Sequence, residues 1–195
     1  MIIALDIETI ANPQAVALMP EPEVKTGNLK DPAKIAEKIA EAKRDQVEKA
    51  ALDPLTARVA CCAVVTEKNE HVEIIYKPDD EHEKELIQKV MQILSADELR
   101  IVTFNGIGFD LPMIYKRAMI LGVDPGNFGA PALTVWTKRY STDRHFDLMQ
   151  IWGGWSNEYT KLDTLARIVL GEKKNDFDVT TIAALLETDE GKYLS

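Results

Sequence analysis

The chain has 195 residues, a formal net charge of −9 and 46% hydrophobic residues, enough for one core. No run approaches the roughly 18 apolar residues of a membrane span, and no basic stretch precedes the apolar N-terminus as a secretory leader requires. The acid excess argues against a general polyanion-binding surface but not against a nuclease, whose carboxylates accept phosphate through divalent cations. Cys61 and Cys62 are neighbours in an apolar run. Adjacent residues of a strand face opposite ways, so they read as small buried hydrophobes of a reducing, cytoplasmic compartment.

In chain order, Ile2–Asp6 reads as a first strand. The stretch from Asn12 to Asn28 holds three prolines and a glycine and reads as loop. Asp31-Pro32 then opens a helix to about Ala51, with Asp as N-cap and Pro at the first helical position. Its charged faces carry both signs, so a solvated helix packed by a narrow apolar stripe is weighed against a nucleic-acid helix. Val59–Thr66 and His71–Tyr76 read as two strands joined by a turn at residues 67–70. Asp80–Ser95 is helical, with Leu86, Ile87, Val90, Met91 and Leu94 on one face. Arg100–Phe104 is a short, fully buried strand and Asp110–Leu121 a helix. His145–Ile151 is irregular or a short strand and helix; Thr160–Leu170 is helical up to Gly171, and Val179–Glu187 is the last helix. The expected architecture is α/β: an antiparallel meander of three strands, then parallel strands, with helices on both faces.

Two acidic stretches carry the chemistry. Asp6 and Glu8 stand two apart on a strand and so project from one face. Two such carboxylates suit Mg²⁺ or Mn²⁺; the plainer reading is a strand running out through incidental acids. The second stretch is Asn105-Gly106-Ile107-Gly108-Phe109-Asp110, a glycine-bearing turn between a buried strand and a helix. Asp110 is there either a ligand or simply an N-cap. Asp147 is either a further site residue or the N-cap of the Leu-Met-Gln-Ile-Trp segment. His145 is a base or a satisfied structural histidine, and Trp136, Trp152 and Trp155 are core or rim aromatics rather than stacking platforms. No Cys/His cluster has zinc spacing, and neither a phosphate loop nor an esterase elbow is present.

Taken together, Asp6-x-Glu8 and Asn105-x-x-x-Phe109-Asp110 resemble the first two motifs of the DEDD 3′–5′ exonucleases, which share the ribonuclease H-like fold. Lys161-Leu162-Asp163-Thr164-Leu165-Ala166, followed by Leu170-Gly171-Glu172-Lys173-Lys174, is similar to the Lys-Leu-Asp-x-x-Ala helix in the exonuclease domains of family-B DNA polymerases. The resemblance implies one domain over 1–195, with residues 13–57 as an insertion like those of stand-alone, phage-type relatives. It implies a metal-dependent 3′–5′ exonuclease acting on single-stranded or 3′-terminal DNA, RNA being the other substrate it allows, with replication proteins as partners. Asp6, Glu8 and Asp110 would be the catalytic metal ligands for Mg²⁺ or Mn²⁺, and Thr9, Asn105 and Phe109 would contact the terminal nucleotide.

The family's third motif, Tyr-x-x-x-Asp or His-x-x-x-x-Asp, finds no counterpart. Tyr193 is followed only by Leu194 and Ser195, and Asp189 and Glu190 do not fit the spacing. Truncation or loss of a short final helix is expected. The alternative function is a catalytically weak or inactive ribonuclease H-like module that binds nucleic acid or a replication partner.

Overall fold

The computed structural model describes residues 1–25, 27, 31–68, 71–75, 79–124, 130–156 and 159–172. The helix expected at 179–187, Lys173, Lys174, Asp189, Glu190 and Tyr193 lie outside the described residues. By internal contacts the chain forms two compact units, one of residues 1–8 and 59 onward, the other of residues 9–58.

The first unit is built on a five-stranded mixed sheet of order β3-β2-β1-β4-β5. Its strands are β1 (Ile2–Ala11), β2 (Ala57–Thr66), β3 (His71–Ile75), β4 (Arg100–Thr103) and β5 (His145–Asp147). β2 and β3 are antiparallel, with Cys62 opposite Ile74. β1 and β4 are parallel, with Ala4 level with Val102, and β4 and β5 are parallel, with Thr103 level with Asp147. The three parallel strands run one way; Asp6 and Glu8 lie within β1, and Asp110 follows β4 by a turn. The mixed α/β architecture read from the sequence is the one observed.

β1 runs to Ala11, five residues beyond the predicted end. Its side chains alternate, with Ile3, Leu5 and Ile7 buried and Ala4 and Asp6 exposed, as a strand with one packed face requires. β4 is not buried throughout. Ile101 and Thr103 face inward while Arg100 is exposed and Val102 half-buried, so the apolar run conceals an ordinary alternation.

Helix α3 (Asp80–Leu94) is capped by Asp79, whose side chain accepts from the His82 N–H. It buries Leu86, Ile87, Val90, Met91 and Leu94, the face the 3.6-residue period predicts. Glu83 on α3 and Arg117 on α4 (Asp110–Ile120) form a buried two-bond pair, Nε to Oε1 at 2.8 Å and Nη2 to Oε2 at 2.6 Å. Glu83 Oε1 also accepts from Val59 N of β2 at 2.9 Å. One carboxylate thus fixes two helices and a strand, and α4 carries Asp110. Remaining helices are α5 (Ala130–Trp136), α6 (Leu148–Trp152) and α7 (Leu162–Leu165), the last continued by a π-helical turn over Ala166–Leu170. Gly171 ends that turn at φ 73°, a left-handed C-cap. α5 was not anticipated from sequence.

In the second unit, α1 (Pro13–Ala17) replaces part of the expected loop, because Asn12 caps it through the Gln14 N–H and Pro13 opens it. α2 (Pro32–Ala50) begins as predicted, Asp31 accepting from Ala33 N at 3.0 Å. The expected apolar stripe is packed in part, with Ile35 and Ala42 half-buried. Ala50 is the helix's one buried residue, and Ile39 and Val47 are exposed. Polar contacts add to it: Gln46 donates to the Pro20 carbonyl and Lys43 pairs with Glu21.

Candidate active site

On β1, Asp6 is exposed and Glu8 half-buried, and the strand alternation puts both on the face opposite Leu5 and Ile7. Between them the backbone N–H of Ile7 donates to Asp110 Oδ1 at 3.2 Å, across 103 residues of sequence. The structure therefore brings the first acidic motif and the acid of the second together.

Asp110 is the first residue of α4, not its N-cap. Phe109 takes the cap position without a side-chain bond, while the Asp110 carboxyl turns to the strand. Asp110 is only 3% exposed. Burial, then the charge of Asp6, pushes its carboxyl up to about 7; Asp147 adds to the rise, and the N–H groups of Asp110 itself and Ile7 oppose it. The Cys62 thiol on β2 is raised for the same reasons, by burial first and then by Cys61, Asp110 and Asp6. Burial leads in both shifts, and the charge of Asp6 adds to each.

The turn that presents Asp110 is held by acceptors at the ends of β4 and β5. Asp147 is fully buried. Its Oδ1 accepts from Asn105 N at 3.0 Å and its Oδ2 from Ile107 N at 2.9 Å. Oδ1 also accepts from Met149 N and Gln150 N, capping α6. The intervening Gly106 N–H goes to Thr103 Oγ1 at 3.1 Å. Three consecutive backbone donors of the turn are thereby satisfied. Asn105 takes a left-handed conformation at φ 71°, which an asparagine tolerates. At Gly106 an added Cβ would lie 2.3 Å from Thr103 Oγ1, and at Gly108 2.6 Å from Asn105 Oδ1. The glycines answer to this crowding.

His145 lies in the same buried layer. Its Nδ1 is 2.7 Å from the Trp136 carbonyl and its Nε2 2.7 Å from Thr103 Oγ1. A carbonyl only accepts, so Nδ1 bears the proton and Nε2 accepts from the Thr103 hydroxyl. Burial holds the imidazole below its ordinary range, outweighing the Trp136 carbonyl and the Asp147 charge. Both ring nitrogens of His145 are thus satisfied, and Asp147 caps α6. Sequence reasoning did not find Thr103, nor the hold of Asp147 on Asn105 and Ile107.

The other expected residues are placed as follows. Asn105 and Phe109 are half-buried within the turn. Thr9 follows Glu8 on β1, and its hydroxyl donates to the Ala51 carbonyl at 2.7 Å inside the second unit. Asp163 pairs with Arg167 one helical turn on. Trp136 is buried, while Trp152 is exposed.

Carboxylates are the donor type that Mg²⁺ and Mn²⁺ prefer. Among the described residues no group of three or more His, Cys, Asp and Glu side chains stands placed to hold a metal ion. Mg²⁺ does not need such a cage, since it is commonly held by one or two carboxylates, waters and substrate phosphates. Burial raises Asp110 most and the Asp6 charge adds to it; a bound cation would offset both. The donors fit such an ion in kind.

A ribonuclease H-like sheet with Asp6 and Glu8 on β1 and Asp110 on the helix after β4 defines the class. The chain belongs to the family of predicted 3′–5′ exonucleases related to the exonuclease domain of PolB, whose model matches residues 52–193. That match begins downstream of Asp6 and Glu8. The chain is similar to a DNA polymerase of Thermococcus litoralis, 31% identical over 140 residues, which is 65% of this chain and 8% of the polymerase. It is also similar to DNA polymerase 1 of Saccharolobus solfataricus, 31% identical over 118 residues, 55% of this chain and 13% of that protein. The chain thus spans a small fraction of the polymerases it matches. Among solved structures, the family B DNA polymerase of Pyrobaculum calidifontis superposes with a TM-score of 0.58 at 18% identity, covering 98% of this chain and 21% of the polymerase. A structure of exonuclease I superposes at 0.52 with 12% identity, covering 99% and 42%. These two likenesses concern the fold. Among the described residues no helix is long and apolar enough to cross a membrane.

Proposed function

We propose that this chain hydrolyses phosphodiester bonds at the 3′ end of DNA with Mg²⁺ or Mn²⁺ held by Asp6, Glu8 and Asp110. The observation that carries the reading is the convergence of β1 and α4, where Asp110 bonds to Ile7 N and feels the charge of Asp6. Family membership supports it.

The bound ions would supply an activated water and neutralise charge gathering on the phosphoryl group. The chain's own residues do the rest. Asp6 and Glu8 present two carboxylates from one strand face. Asp110, whose carboxyl is pushed up to about 7 by burial and Asp6, would hold the ion in its ionised form. Asp147 and Thr103 keep the turn in the conformation that delivers Asp110. Asn105 and Phe109, on that turn, and Thr9, next to Glu8, are the proposed contacts of the terminal nucleotide. The test is mononucleotide release from a 3′-labelled single strand with Mg²⁺ or Mn²⁺. Release that disappears in Asp6→Ala is expected; equal release by both proteins would refute the assignment.

A second reading is a module that binds nucleic acid without cutting it. It is favoured by the lack of a three-ligand group among the described residues. Strand binding with no release in either metal would select it.

A further inference from the structure

The segment before β5 and the turn after α6 form a feature that the proposed catalysis does not use. Tyr140 is 69% exposed. Its ring lies 5.4 Å from that of Trp155, tilted by 54°. The Arg139 guanidinium sits 5.3 Å above the Tyr140 ring and donates to the Trp155 carbonyl at 3.4 Å. Both aromatics hold left-handed backbone conformations, φ 65° at Tyr140 and 61° at Trp155. Bulky residues rarely adopt that region, and each instance costs energy that the surrounding structure must supply. Burial of the aromatic is not the compensation for Tyr140, because its ring faces solvent.

The charge is equally out of keeping with the rest. Lys138, Arg139 and Arg144 are exposed, against one acid, Asp143, in a chain of net charge −9. Arg144 is held over the ring of buried Trp136 at 6.0 Å. Exposed aromatic faces set among cations are how proteins bind single strands, the bases stacking and the phosphates meeting the charges. Along the chain, Tyr140 precedes β5, and Trp155 follows α6 and its turn.

We propose that Tyr140, Trp155 and Arg139, with Lys138 and Arg144, form a stacking platform that holds a single strand while its 3′ end is trimmed. The proposal rests on the exonuclease reading for its role and stands apart from it for binding. Tyr140 takes a base on its open face, Trp155 buttresses the ring, and the cations take phosphates. Since every base has a π-face, the platform is indifferent to sequence.

The test is fluorescence anisotropy of a labelled oligothymidylate added to the 195-residue chain in EDTA, where hydrolysis cannot contribute. Tyr140→Ala is expected to weaken binding roughly 5- to 150-fold, the loss of one stacked base, while Tyr140→Phe binds as the parent does. Lys138→Gln is expected to lower the slope of log affinity against log salt by about one. Exposure of both side chains leaves the fold intact, which thermal melting checks. A parallel titration with oligouridylate separates DNA from RNA as the bound strand. Unchanged affinity in both Tyr140→Ala and Lys138→Gln, or no binding by the parent, would overturn the platform. Tyr140-dependent binding without hydrolysis in Mg²⁺ or Mn²⁺ would refute the exonuclease reading and leave the platform standing.

Discussion

Two buried aspartates follow adjacent parallel strands, and their surroundings are opposites. Asp147, ending β5, accepts four backbone N–H groups and is completely enclosed. Asp110, after β4, accepts from Ile7 N and its own N–H, and stands in the field of Asp6. A carboxylate surrounded by donors is a fixed anion around which backbone is organised. A carboxylate buried with too few donors beside a like charge is a site waiting for a proton or a cation. The same residue type thus builds the scaffold in one place and the chemistry in the other. This contrast makes Asp110 the proposed ligand and Asp147 its support.

The contrast breaks most severely if Asp110 is dispensable. Asp110→Asn keeps the shape and removes the charge. If Asp110 holds a catalytic ion, loss of that charge stabilisation should lower nucleotide release by about 10³-fold or more. The melting temperature in EDTA should not fall, because Asn also removes the repulsion from Asp6. Activity within tenfold of the parent would sink the assignment.

Next in size is the pH dependence of the metal-free fold. The Asp110 carboxyl is pushed up to about 7 in the folded protein from its ordinary 3.8. The folded state binds this proton more tightly than the unfolded chain does. Its contribution to stability is therefore complete below pH 3.8 and is lost as pH rises to about 7. The loss is on the order of 4 kcal/mol at most. Melts in EDTA should show the parent losing stability relative to Asp110→Asn across that window. Adding Mg²⁺ or Mn²⁺ should restore it chiefly above neutrality, where no proton competes. Parallel pH profiles for the two proteins would show that Asp110 is not raised.

Asp147→Asn tests the other half. The amide keeps one acceptor and turns an NH₂ group toward donors, so either Asn105 or Ile107 loses its partner. One unsatisfied buried donor costs about 1–3 kcal/mol. Supporting groups of this kind are typically worth about 10–100-fold in activity or metal affinity. We expect a fall in kcat with KM nearly unchanged, and faster hydrogen exchange at Asn105 and Ile107. Exchange unchanged at both amides would show that Asp147 does not hold the turn.

Local patterns were legible in the sequence, and contacts between distant residues were not. The alternation of β1 put Asp6 and Glu8 on one face, and the period of α3 named its five buried apolar residues. The resemblance of residues 105–110 to a nuclease motif pointed to Asp110. Yet its bond to Ile7 spans 103 residues, and those of Asp147 to Asn105 and Ile107 span 42 and 40. No local rule reports a donor supplied from another strand. Hence Asp110 read as an N-cap with equal right, and the role of Asp147 beyond its own helix was invisible. At α2 the apolar stripe is packed only in part, and the polar partners of Gln46 and Lys43, at Pro20 and Glu21, were equally invisible.

The smallest effect separates the two glycines of the turn. At Gly106 a methyl group would strike Thr103 Oγ1, Cβ and Cγ2 at 2.3, 2.6 and 2.7 Å. Thr103 is buried and its hydroxyl is fixed to His145 Nε2, so it cannot turn aside. Gly106→Ala should cost about 1–3 kcal/mol, as overpacking does, and should shift the turn. At Gly108 the clash is with Asn105 Oδ1 at 2.6 Å, the tip of a half-buried side chain. That amide can rotate, so Gly108→Ala should cost less than about 1 kcal/mol. The free residue at 108 then reads out whether the Asn105 side chain matters to the terminal nucleotide. A Gly108→Ala protein with parental melting but raised KM on single-stranded DNA would place the Asn105 amide against substrate. Equal destabilisation by both alanines would instead show that the whole turn, not only its Thr103 side, is rigidly packed.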